Sequence, residues 1–599
     1  MTGEWTRRSE RFSVSIGTDI ASCPAPAETK AHDGARGRHG RKARPQQAGH
    51  PRHAVGLGAF LVTVGLLLAA PPGASAQGKV QDKILVRFPV GSGQKAVGAV
   101  PGAADAEPTG PSALYADGSG KLYLLDQVNG RILSIEAAVP GRVPEVRKLP
   151  DNLVPSDLIA LKDRLYVWDG RPYALDPKET GRSGDIPVLE ARAVGDADDV
   201  ARSAFAQMGS QTPSSDAEVV NAAGRSLSLE HLDVPVRQVL AARAAGSLTA
   251  DILPQPDGKS AVVEIRPEAD PLQVTRFRVR VVDKLGLVEV LEVDRSGNVF
   301  VFTENVPAKA GGRAALFVAR YSPRGRLEVI YDPPVAPDQT STRRFVTITP
   351  DGKVLFLKSD ATGVAILDLT ARKPKGQVLE PPPVRTAAID PTGLPEPGFI
   401  TAIRPNSRLG VIQIGLAFEG LKWQVTSANY GPEHDKSCLG FDGRVRRPAY
   451  LQGKVGQEVR GVPYCWGCFG SLTQFKRRVD SGTLAGNWCT REDPRRDTIG
   501  VDCSAFVSAA WGLSRHYTTA DIPGITRRLD NPWDLRPGDA LNKPGSHVML
   551  FVQFTPDRKV EVLEAATGGC NGRVCRNIYP LSVLLARGYQ PVRYPALTD

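Results

Sequence analysis

The chain has 599 residues, of which 41% are hydrophobic and 23% charged, so it can form two or more domains with hydrophobic cores and is not globally disordered. Basic residues exceed acidic residues by +11, an excess that suits a protein working near an anionic polymer. Residues 1–52 contribute ten basic and five acidic side chains, and the remaining excess of +6 is no nucleic-acid-binding footprint.

The amino-terminal region predicts export. Residues 1–52 are rich in Arg, Ala, Pro, Gly and His without apolar periodicity, which predicts a disordered basic leader. The apolar run 55–70 and the small-residue end Ala74-Ser-Ala76 predict a signal peptide over residues 53–76, with cleavage after Ala76. A membrane anchor is the alternative interpretation of this run. We therefore expect a bacterial protein that is periplasmic, cell-wall associated or secreted, without a stable transmembrane anchor.

Residues 77–420 consist of short strands that follow Asp/Gly turns. The same turn-and-strand pattern recurs around Leu122, Leu165, Val299 and Val354, and the 134 residues between Leu165 and Val299 correspond to about three periods of about 45 residues. This period predicts an all-β propeller of about six or seven blades, and the segment resembles NHL-type propellers. A two-sheet sandwich is the alternative fold.

Three further segments complete the predicted propeller domain. Lys83–Phe88 is expected to be the outermost strand of the last blade and to close the ring. Segments 198–208 and 233–243 have helical patterns and interrupt the repeat. The proline-rich stretch 373–397 is expected to be a stiff connector or a long loop between blades. Residues 421–599 are then expected to form a second domain.

The second domain contains a candidate nucleophile. Asp502-Cys503-Ser504 precedes a pattern that predicts a helix, capped by Asp502 or Ser504, with one buried face formed by Phe506, Val507, Ala510 and Trp511. Cys503 then lies at the positive end of the helix, where the macrodipole and unpaired backbone N–H groups favour a thiolate. An ordinary buried cysteine is the alternative.

A candidate base follows downstream. His547 opens a predicted strand with both faces covered, and after a turn at 555–558 the chain returns as a second strand over 559–565. Hairpin pairing would bring Glu564 near the His547 imidazole. Cys503, His547 and Glu564 would then serve as nucleophile, base and orienting group.

Residues 461–594 resemble the NlpC/p60 cell-wall cysteine peptidases, which have a papain-like α+β fold. The resemblance rests on Gly461-Val-Pro-Tyr-Cys-Trp-Gly467, on Asp502-Cys-Ser504, and on Pro537-Gly-Asp539 with His547-Val548. It implies that Cys503 is the nucleophile and His547 the base, that Tyr464, Asp502 and Ser504 bind the substrate's free amine and backbone, and that the substrate is a cell-wall peptide, cleaved beside D-glutamate and diaminopimelate. Cys468 and Ala505 replace glycines of the family pattern, and Glu564 occupies the third catalytic position.

The cysteines other than Cys503 and the leader's Cys23 predict three disulfides in an exported domain: they are Cys438, Cys465, Cys468, Cys489, Cys570 and Cys575. Cys570 with Cys575 is the favoured local pair, and the other pairings stay open. A four-thiolate zinc site formed by Cys465, Cys468, Cys570 and Cys575 is the rival interpretation. His434 is interpreted as part of a solvated turn, so no metal and no cofactor is expected.

The sequence therefore predicts an exported cysteine hydrolase that cleaves amide bonds in peptidoglycan peptides, with the propeller binding a protein or wall polymer. One alternative keeps the thiol but assigns amidase, transglutaminase-like or acyltransferase chemistry on another substrate. The other is a wall-associated propeller binding protein with a vestigial peptidase domain.

Overall fold

The computed structural model describes residues 82–598, with gaps at 104, 137–142, 151–152, 162–163, 178–185, 195–203, 206–212, 224–233, 243–245, 271, 309–313, 361, 381–406, 432–446 and 488–496. The predicted leader and signal peptide therefore lie outside the described residues, as do Cys438, Cys489 and His434. No helix in the described part of the chain is long and apolar enough to cross a membrane.

The amino-terminal half folds into five separate four-stranded antiparallel sheets. Strand β1 (Lys83–Phe88) begins the described chain and joins the fifth sheet. The first sheet contains β2 (Ala113–Ala116), β3 (Leu122–Asp126), β4 (Arg131–Ile135) and β5 (Glu145–Lys148). The second contains β6 (Asp157–Leu161), β7 (Arg164–Trp168), β8 (Pro172–Pro177) and β9 (Leu189–Ala193).

The remaining three sheets follow helix α1 (Asp216–Ala223). The third contains β10 (Val236–Ala242), β11 (Gly246–Pro254), β12 (Ser260–Pro267) and β13 (Thr275–Arg280). The fourth contains β14 (Lys284–Val293), β15 (Val299–Val306), β16 (Ala315–Tyr321) and β17 (Leu327–Tyr331). The fifth contains β18 (Val346–Ile348), β19 (Val354–Asp360) and β20 (Gly363–Asp368), with β1 paired to β20 as its outer strand.

The sheets have a propeller-like arrangement. The first strand of a sheet contacts the first strand of its neighbour where β2 meets β6, β10 meets β14, β14 meets β18 and β18 meets β2. These contacts join sheet one to two, three to four, four to five and five to one. The predicted pairing of Lys83–Phe88 with the last sheet is confirmed, and it ties the beginning of the described chain to the end of the ring. Five separate sheets are present rather than the two facing sheets of a sandwich.

The predicted blade count differs from the number of sheets observed. Leu122, Leu165, Val299 and Val354 all lie on the second strand of their sheets, as the repeated pattern implies. Between Leu165 and Val299, however, the chain advances only two sheets, because an insertion that carries α1 separates β9 from β10. The described residues therefore contain five four-stranded sheets, fewer than the six or seven blades expected for a segment of this length.

The helix predicted over 233–243 is also wrong. These residues contain strand β10, which pairs with β11 over seven residues from Val236 to Ala242. A complete ladder of backbone hydrogen bonds in the sheet outweighs a weak local preference for helix. The start of the proline-rich stretch packs on the sheets as well, since Leu379 is buried and bridges to Val281. Residues 381–397 of that stretch lie outside the described residues.

The carboxy-terminal module is built on a six-stranded antiparallel sheet. Its strands are β25 (Arg527–Arg528), β26 (Ala540–Lys543), β27 (His547–Phe554), β28 (Val560–Ala566), β29 (Arg573–Tyr579) and β30 (Gln590–Arg593). Their order in the sheet is β25-β30-β26-β27-β28-β29. Two small pairs precede it: β21 (Lys422–Gln424) with β22 (Glu458–Arg460), and β23 (Leu484–Ala485) with β24 (Thr498–Ile499). The helices are α2 (Arg408–Gly420), α3 (Leu472–Asp480), α4 (Cys503–Ala510) and α5 (Leu581–Ala586).

Both faces of the central hairpin β27–β28 are buried, as the alternating pattern predicts. Val548 and Leu550 pack with α2 and α4 in one core, and Met549 and Phe551 pack in a second core on the opposite face. Because side chains alternate across a strand, His547 at the start of β27 shares its face with Met549 and Phe551.

Helix α2 lies on the amino-terminal side of the boundary expected at residue 421, yet it belongs to the carboxy-terminal module. Its Val411, Ile412 and Leu416 pack in the same core as α4. At its first residue, Arg408 donates to the buried Asp539 carboxylate at 2.9 Å. The apolar sequence of 408–420 is compatible with burial in either neighbouring domain, and in the structure this segment packs with α4.

The carboxy-terminal module docks on the sheets through polar contacts from several of them. These contacts join Val154 to Asn571, Ser214 to Glu561, Asp216 to Arg576, Leu285 to Arg558, Glu289 to Lys559 and Glu304 to Ser582. Val219 of α1 also enters the core of the carboxy-terminal module. The two parts of the chain are therefore joined by several polar contacts and by the packing of Val219.

Candidate active site

Helix α4 presents Cys503 at its first turn. Asp502 caps the helix by accepting a hydrogen bond from the Ala505 N–H at 2.7 Å, while its other carboxylate oxygen accepts from the Gly467 N–H at 2.8 Å. The helix is anchored by its buried apolar face, and Trp511 donates to the Gly538 carbonyl at 2.8 Å. The predicted helix and one of its two predicted caps are thus present.

The residues before the helix connect the nucleophile motif to the tyrosine motif. Val501 forms a parallel bridge with Tyr464, so the two motifs lie side by side although they are distant in sequence. Gly500 permits this approach, because a Cβ atom there would lie 2.3 Å from the Pro463 carbonyl oxygen. Any other residue would push the two motifs apart.

His547 and Glu564 form a buried pair on the predicted hairpin. The imidazole Nε2 lies 2.7 Å from Glu564 Oε2, and both side chains are almost fully buried. Glu564 Oε1 accepts hydrogen bonds from Tyr579 and Asn577 at 2.6 Å each. The carboxylate is therefore held in one orientation, and Nδ1 is the ring nitrogen left for a reacting group.

The environment keeps Glu564 ionised and stabilises the protonated form of His547. Burial disfavours the imidazolium, but the hydrogen bond to Glu564, together with the charges of Glu107 and Glu564, outweighs burial and raises the pKa of His547. For Glu564, burial opposes ionisation, and the hydrogen bonds and charge of His547 with the hydrogen bonds from Tyr579 and Asn577 lower its pKa. These shifts match the role of an orienting carboxylate.

The thiol lies beside the start of β27. The backbone amides of Val548 and Ser504 favour the charged form of the sulfur, so the residue adjacent to His547 lies near the candidate nucleophile. Burial, followed by the negative charges of Asp502 and Asp105, nevertheless raises the pKa of Cys503 well above its ordinary value. Burial and the two carboxylates therefore oppose the thiolate that the helix position favours.

Ser504 and Asp502 share a partner that the sequence analysis missed. His516 Nε2 lies 2.7 Å from Ser504 Oγ and 3.3 Å from Asp502 Oδ1, and its ring stacks on Phe469. Burial opposes the charged form of His516, but the hydrogen bond and charge of Asp502 raise its pKa. No sequence pattern marked this histidine, since it follows the helix in an irregular segment.

The propeller-like domain contributes a short hairpin to this site. The hairpin, here called the cleft hairpin, consists of residues 100–103 and 105–109, which pair through Val100 with Thr109 and Ala103 with Ala106. At its tip, the Asp105 carbonyl accepts hydrogen bonds from the Tyr464 hydroxyl at 2.8 Å and from Cys503 Sγ at 3.4 Å. The Asp105 carboxylate accepts from the Thr519 N–H at 2.9 Å.

The next acidic residue of the cleft hairpin lies in a basic recess. Glu107 Oε1 accepts a hydrogen bond from Arg587 Nη2 at 2.7 Å and one from the Tyr589 hydroxyl. Arg587 is only 3% exposed. A small cavity lies beside this contact, lined by His547, Tyr464 and the hairpin.

Two disulfides flank the site. The predicted Cys570–Cys575 bond is present beside Glu564, and Cys465 is bonded to Cys468 in the tyrosine motif. Because these four cysteines are paired in two local disulfides, they do not form the alternative four-thiolate zinc site. Among the described residues, no three His, Cys, Asp or Glu side chains are grouped to hold a metal ion.

No family model and no curated protein matches the chain. Among solved structures, it is similar to a streptogramin B lyase with a TM-score of 0.20 and 10% identity, covering 47% of this chain and 97% of that chain. A gluconolactonase-family protein gives a TM-score of 0.19 and 12% identity, and the match covers 49% of this chain and 99% of that chain. A virginiamycin B lyase from Staphylococcus aureus gives a TM-score of 0.15 and 8% identity, and the match covers 45% of this chain and 72% of that chain. With TM-scores this low, no functional argument rests on these similarities.

Proposed function

We propose that the carboxy-terminal module is a papain-like cysteine hydrolase of the NlpC/p60 type that cleaves amide bonds in peptidoglycan peptides. The observation that carries the proposal is the convergence at one point of a helix-capped Cys503, the start of strand β27 and the buried His547–Glu564 pair. This is the combination of nucleophile, base and orienting group that thiol acyl transfer needs.

In the proposed mechanism, Nδ1 of His547 accepts the Cys503 proton and the thiolate attacks the substrate carbonyl carbon. Backbone N–H groups at the start of α4 stabilise the tetrahedral oxyanion. The imidazolium then protonates the departing amine, leaving a thioester on the enzyme. His547 next takes a proton from water, whose attack on the thioester releases the acid and restores the thiol. Glu564 remains ionised and keeps the imidazole in one tautomer throughout.

Tyr464, Asp502 and Ser504 are proposed to line the substrate site. Tyr464 supports this role directly, because its hydroxyl already donates to a peptide carbonyl, that of Asp105. Asp502 and Ser504 bond each other and His516, and so they are better suited to shaping the site around Cys503. Export of the protein is proposed from the signal-like segment, and the two disulfides support it.

The test uses protein that starts at Gln77, incubated with peptidoglycan fragments and followed by mass spectrometry, beside a Cys503→Ala control. New peptide termini that require the thiol are the expected result. Products carrying a new amide or ester instead would establish acyl transfer. Absence of any thiol-dependent product from both this protein and its Glu107→Ala variant, in which the cleft hairpin is loosened, at enzyme concentrations equal to the substrate, would refute the hydrolase.

The alternative of a propeller-centred binding protein is favoured by one observation, the complete burial of Cys503 behind Asp105. A vestigial site would keep the thiol unreactive in every conformation. Reactivity of Cys503 toward a small alkylating reagent, once the cleft hairpin is loosened, therefore separates this alternative from the enzyme.

A further inference from the structure

We propose that the cleft hairpin is a tethered occupant of the substrate cleft, and that its Glu107 carboxylate fills, on Arg587 and Tyr589, a site that takes a carboxylate group of the substrate. The carboxylate part of this inference rests on the proposed function, whereas the closure of the cleft does not.

The first argument is steric. The hairpin tip covers Cys503, which has no exposed surface, and it uses the hydroxyl of Tyr464. The Asp105 carbonyl meets the thiol through its oxygen at 3.4 Å, which is a hydrogen bond rather than an approach to the carbonyl carbon. The hairpin therefore occupies the position of a peptide without being placed for cleavage.

The second argument is electrostatic. An arginine that is almost completely buried needs an anionic partner or water, because an unpaired buried charge is costly. In this structure the partner of Arg587 is Glu107, which comes from the other domain. Tyr589 donates to the same carboxylate oxygen. Once the hairpin leaves, the recess keeps a cation and a hydroxyl donor, and a carboxylate is the ligand that satisfies both.

The third argument is proximity to the candidate base. Glu107 is close enough to His547 for its charge to raise the imidazole pKa, and both residues line the same cavity. A substrate carboxylate bound in place of Glu107 would therefore lie next to the reacting groups. The chemical class implied is an acidic peptide with a free carboxylate near the scissile amide.

The hairpin is held by contacts that can be broken singly. At its base, the hydroxyls of Thr109 and Thr567 lie 3.5 Å apart, and the Pro108 carbonyl accepts from the Ser341 N–H of the propeller-like domain. The position of the hairpin tip in the cleft therefore depends on the contacts made by Asp105 and Glu107. Removing one charge-assisted hydrogen bond to a buried group shifts an opening equilibrium by about 10- to 100-fold.

The experiment measures alkylation of Cys503 by iodoacetamide, read by mass spectrometry of the peptide that carries it. Glu107→Ala is expected to alkylate about 10- to 100-fold faster than the wild type. Glu145→Ala is the matched control, because Glu145 is an exposed glutamate of the first sheet that pairs with Lys121 and Arg147. An unchanged rate for Glu107→Ala, or an equal rise for Glu145→Ala, would overturn the closure of the cleft.

Glu107→Gln serves as a second variant that keeps the side-chain shape, so that a folding defect of Glu107→Ala does not decide the result. Its alkylation is expected to rise about 3- to 10-fold, because the neutral amide keeps an acceptor but loses the charge. If Glu107→Gln folds and alkylates at the wild-type rate, the closure is refuted independently of the first variant.

The carboxylate site is tested by chemical rescue. Propionate, which reproduces the end of a glutamate side chain, is expected to raise the melting temperature of Glu107→Ala by about 1 to 2 °C, while the neutral propionamide leaves it unchanged. The wild type, with Glu107 in place, should respond to neither. Equal effects of propionate and propionamide would overturn the carboxylate site.

These readouts need no turnover, so they separate this inference from the proposed function. Fast alkylation and propionate rescue without peptidoglycan cleavage would support the closure and refute the hydrolase. If Glu107→Ala does cleave, we expect kcat/KM for peptides with a free carboxylate beside the scissile bond to exceed that for the amidated peptides at least 10-fold, and equal values would refute the substrate assignment.

Discussion

Replacing Glu564 with glutamine isolates the role of the orienting carboxylate. One oxygen of Glu564 accepts from both Tyr579 and Asn577, and the other faces His547 Nε2. A glutamine placed here must keep its oxygen toward the two donors, because turning the amide would set its N–H groups against them. Its N–H then points at Nε2, which must become an acceptor, and the proton moves to Nδ1.

The expected consequence is a base in the wrong tautomer. Nδ1 can no longer accept the thiol proton, and a comparable change in a serine protease triad lowers kcat about 10⁴-fold. The loss of a charge-assisted hydrogen bond to a buried group should also cost about 1.5 to 3 kcal/mol of stability. Glu561→Gln is the matched control, since Glu561 is a buried glutamate on the same strand whose contacts are with Ser214, Gln553 and Arg576 rather than with His547.

The pH dependence of stability has a defined sign. The pKa of His547 is raised above 6.5 by its partner, so its contribution is fully present below that value and is lost as the pH rises through the raised pKa. The pKa of Glu564 is lowered below 4.5, so its contribution is present above that value and is lost as the pH falls through the lowered pKa. The pair therefore stabilises the fold most between these two ordinary values.

The assay combines thermal unfolding across this pH range, nitrogen NMR of the His547 ring and hydrolysis of peptidoglycan fragments. Glu564→Gln should lose the stabilisation between the two ordinary pKa values, show the Nδ1–H tautomer and lose turnover. Glu561→Gln should keep the wild-type tautomer and turnover. The reasoning is refuted if Glu564→Gln keeps the wild-type tautomer, or if it keeps the wild-type rate.

Three further outcomes follow from the geometry. Asp105→Asn keeps an oxygen that accepts from the Thr519 N–H, and asparagine tolerates the φ of 55° found at this position. The substitution removes a charge that raises the pKa of the Cys503 thiol, so the pH profile of Cys503 alkylation should move to lower pH. A shift to higher pH would contradict the charge argument. Replacing both Cys570 and Cys575 with serine should lower stability by about 2 kcal/mol in chemical denaturation, from loop entropy alone, and no change would exclude that bond as a structural one. Gly500→Ala should destabilise the folded protein by more than about 2 kcal/mol in thermal unfolding. Gly524→Ala should be nearly neutral, because a Cβ atom there meets open space. Equal effects would show that close packing at Gly500 is unimportant.

Local patterns were sufficient for the elements whose partners are near in sequence. The cap at Asp502, the β27–β28 hairpin and the Cys570–Cys575 bond each depend on residues at most a few tens of positions apart. Their spacing is therefore set by helix and strand periodicity, which sequence records directly. The ring-closing strand Lys83–Phe88 was also predictable, because an unpaired final sheet in a closed propeller requires an outer strand from elsewhere.

Tertiary structure alone decided the state of the site. Asp105 and Cys503 are 398 residues apart, and a Gly/Pro-flanked acidic hairpin gives no indication of the cleft it enters. The pKa of the Cys503 thiol depends on burial and on the negative charges of Asp502 and Asp105, and the helix position does not reveal the contribution of Asp105. The blade count and the position of α2 were likewise settled by packing, since a sequence period cannot distinguish an insertion from a repeat. Sequence determines short-range geometry, whereas burial and charge at a site depend on every segment that folds against it.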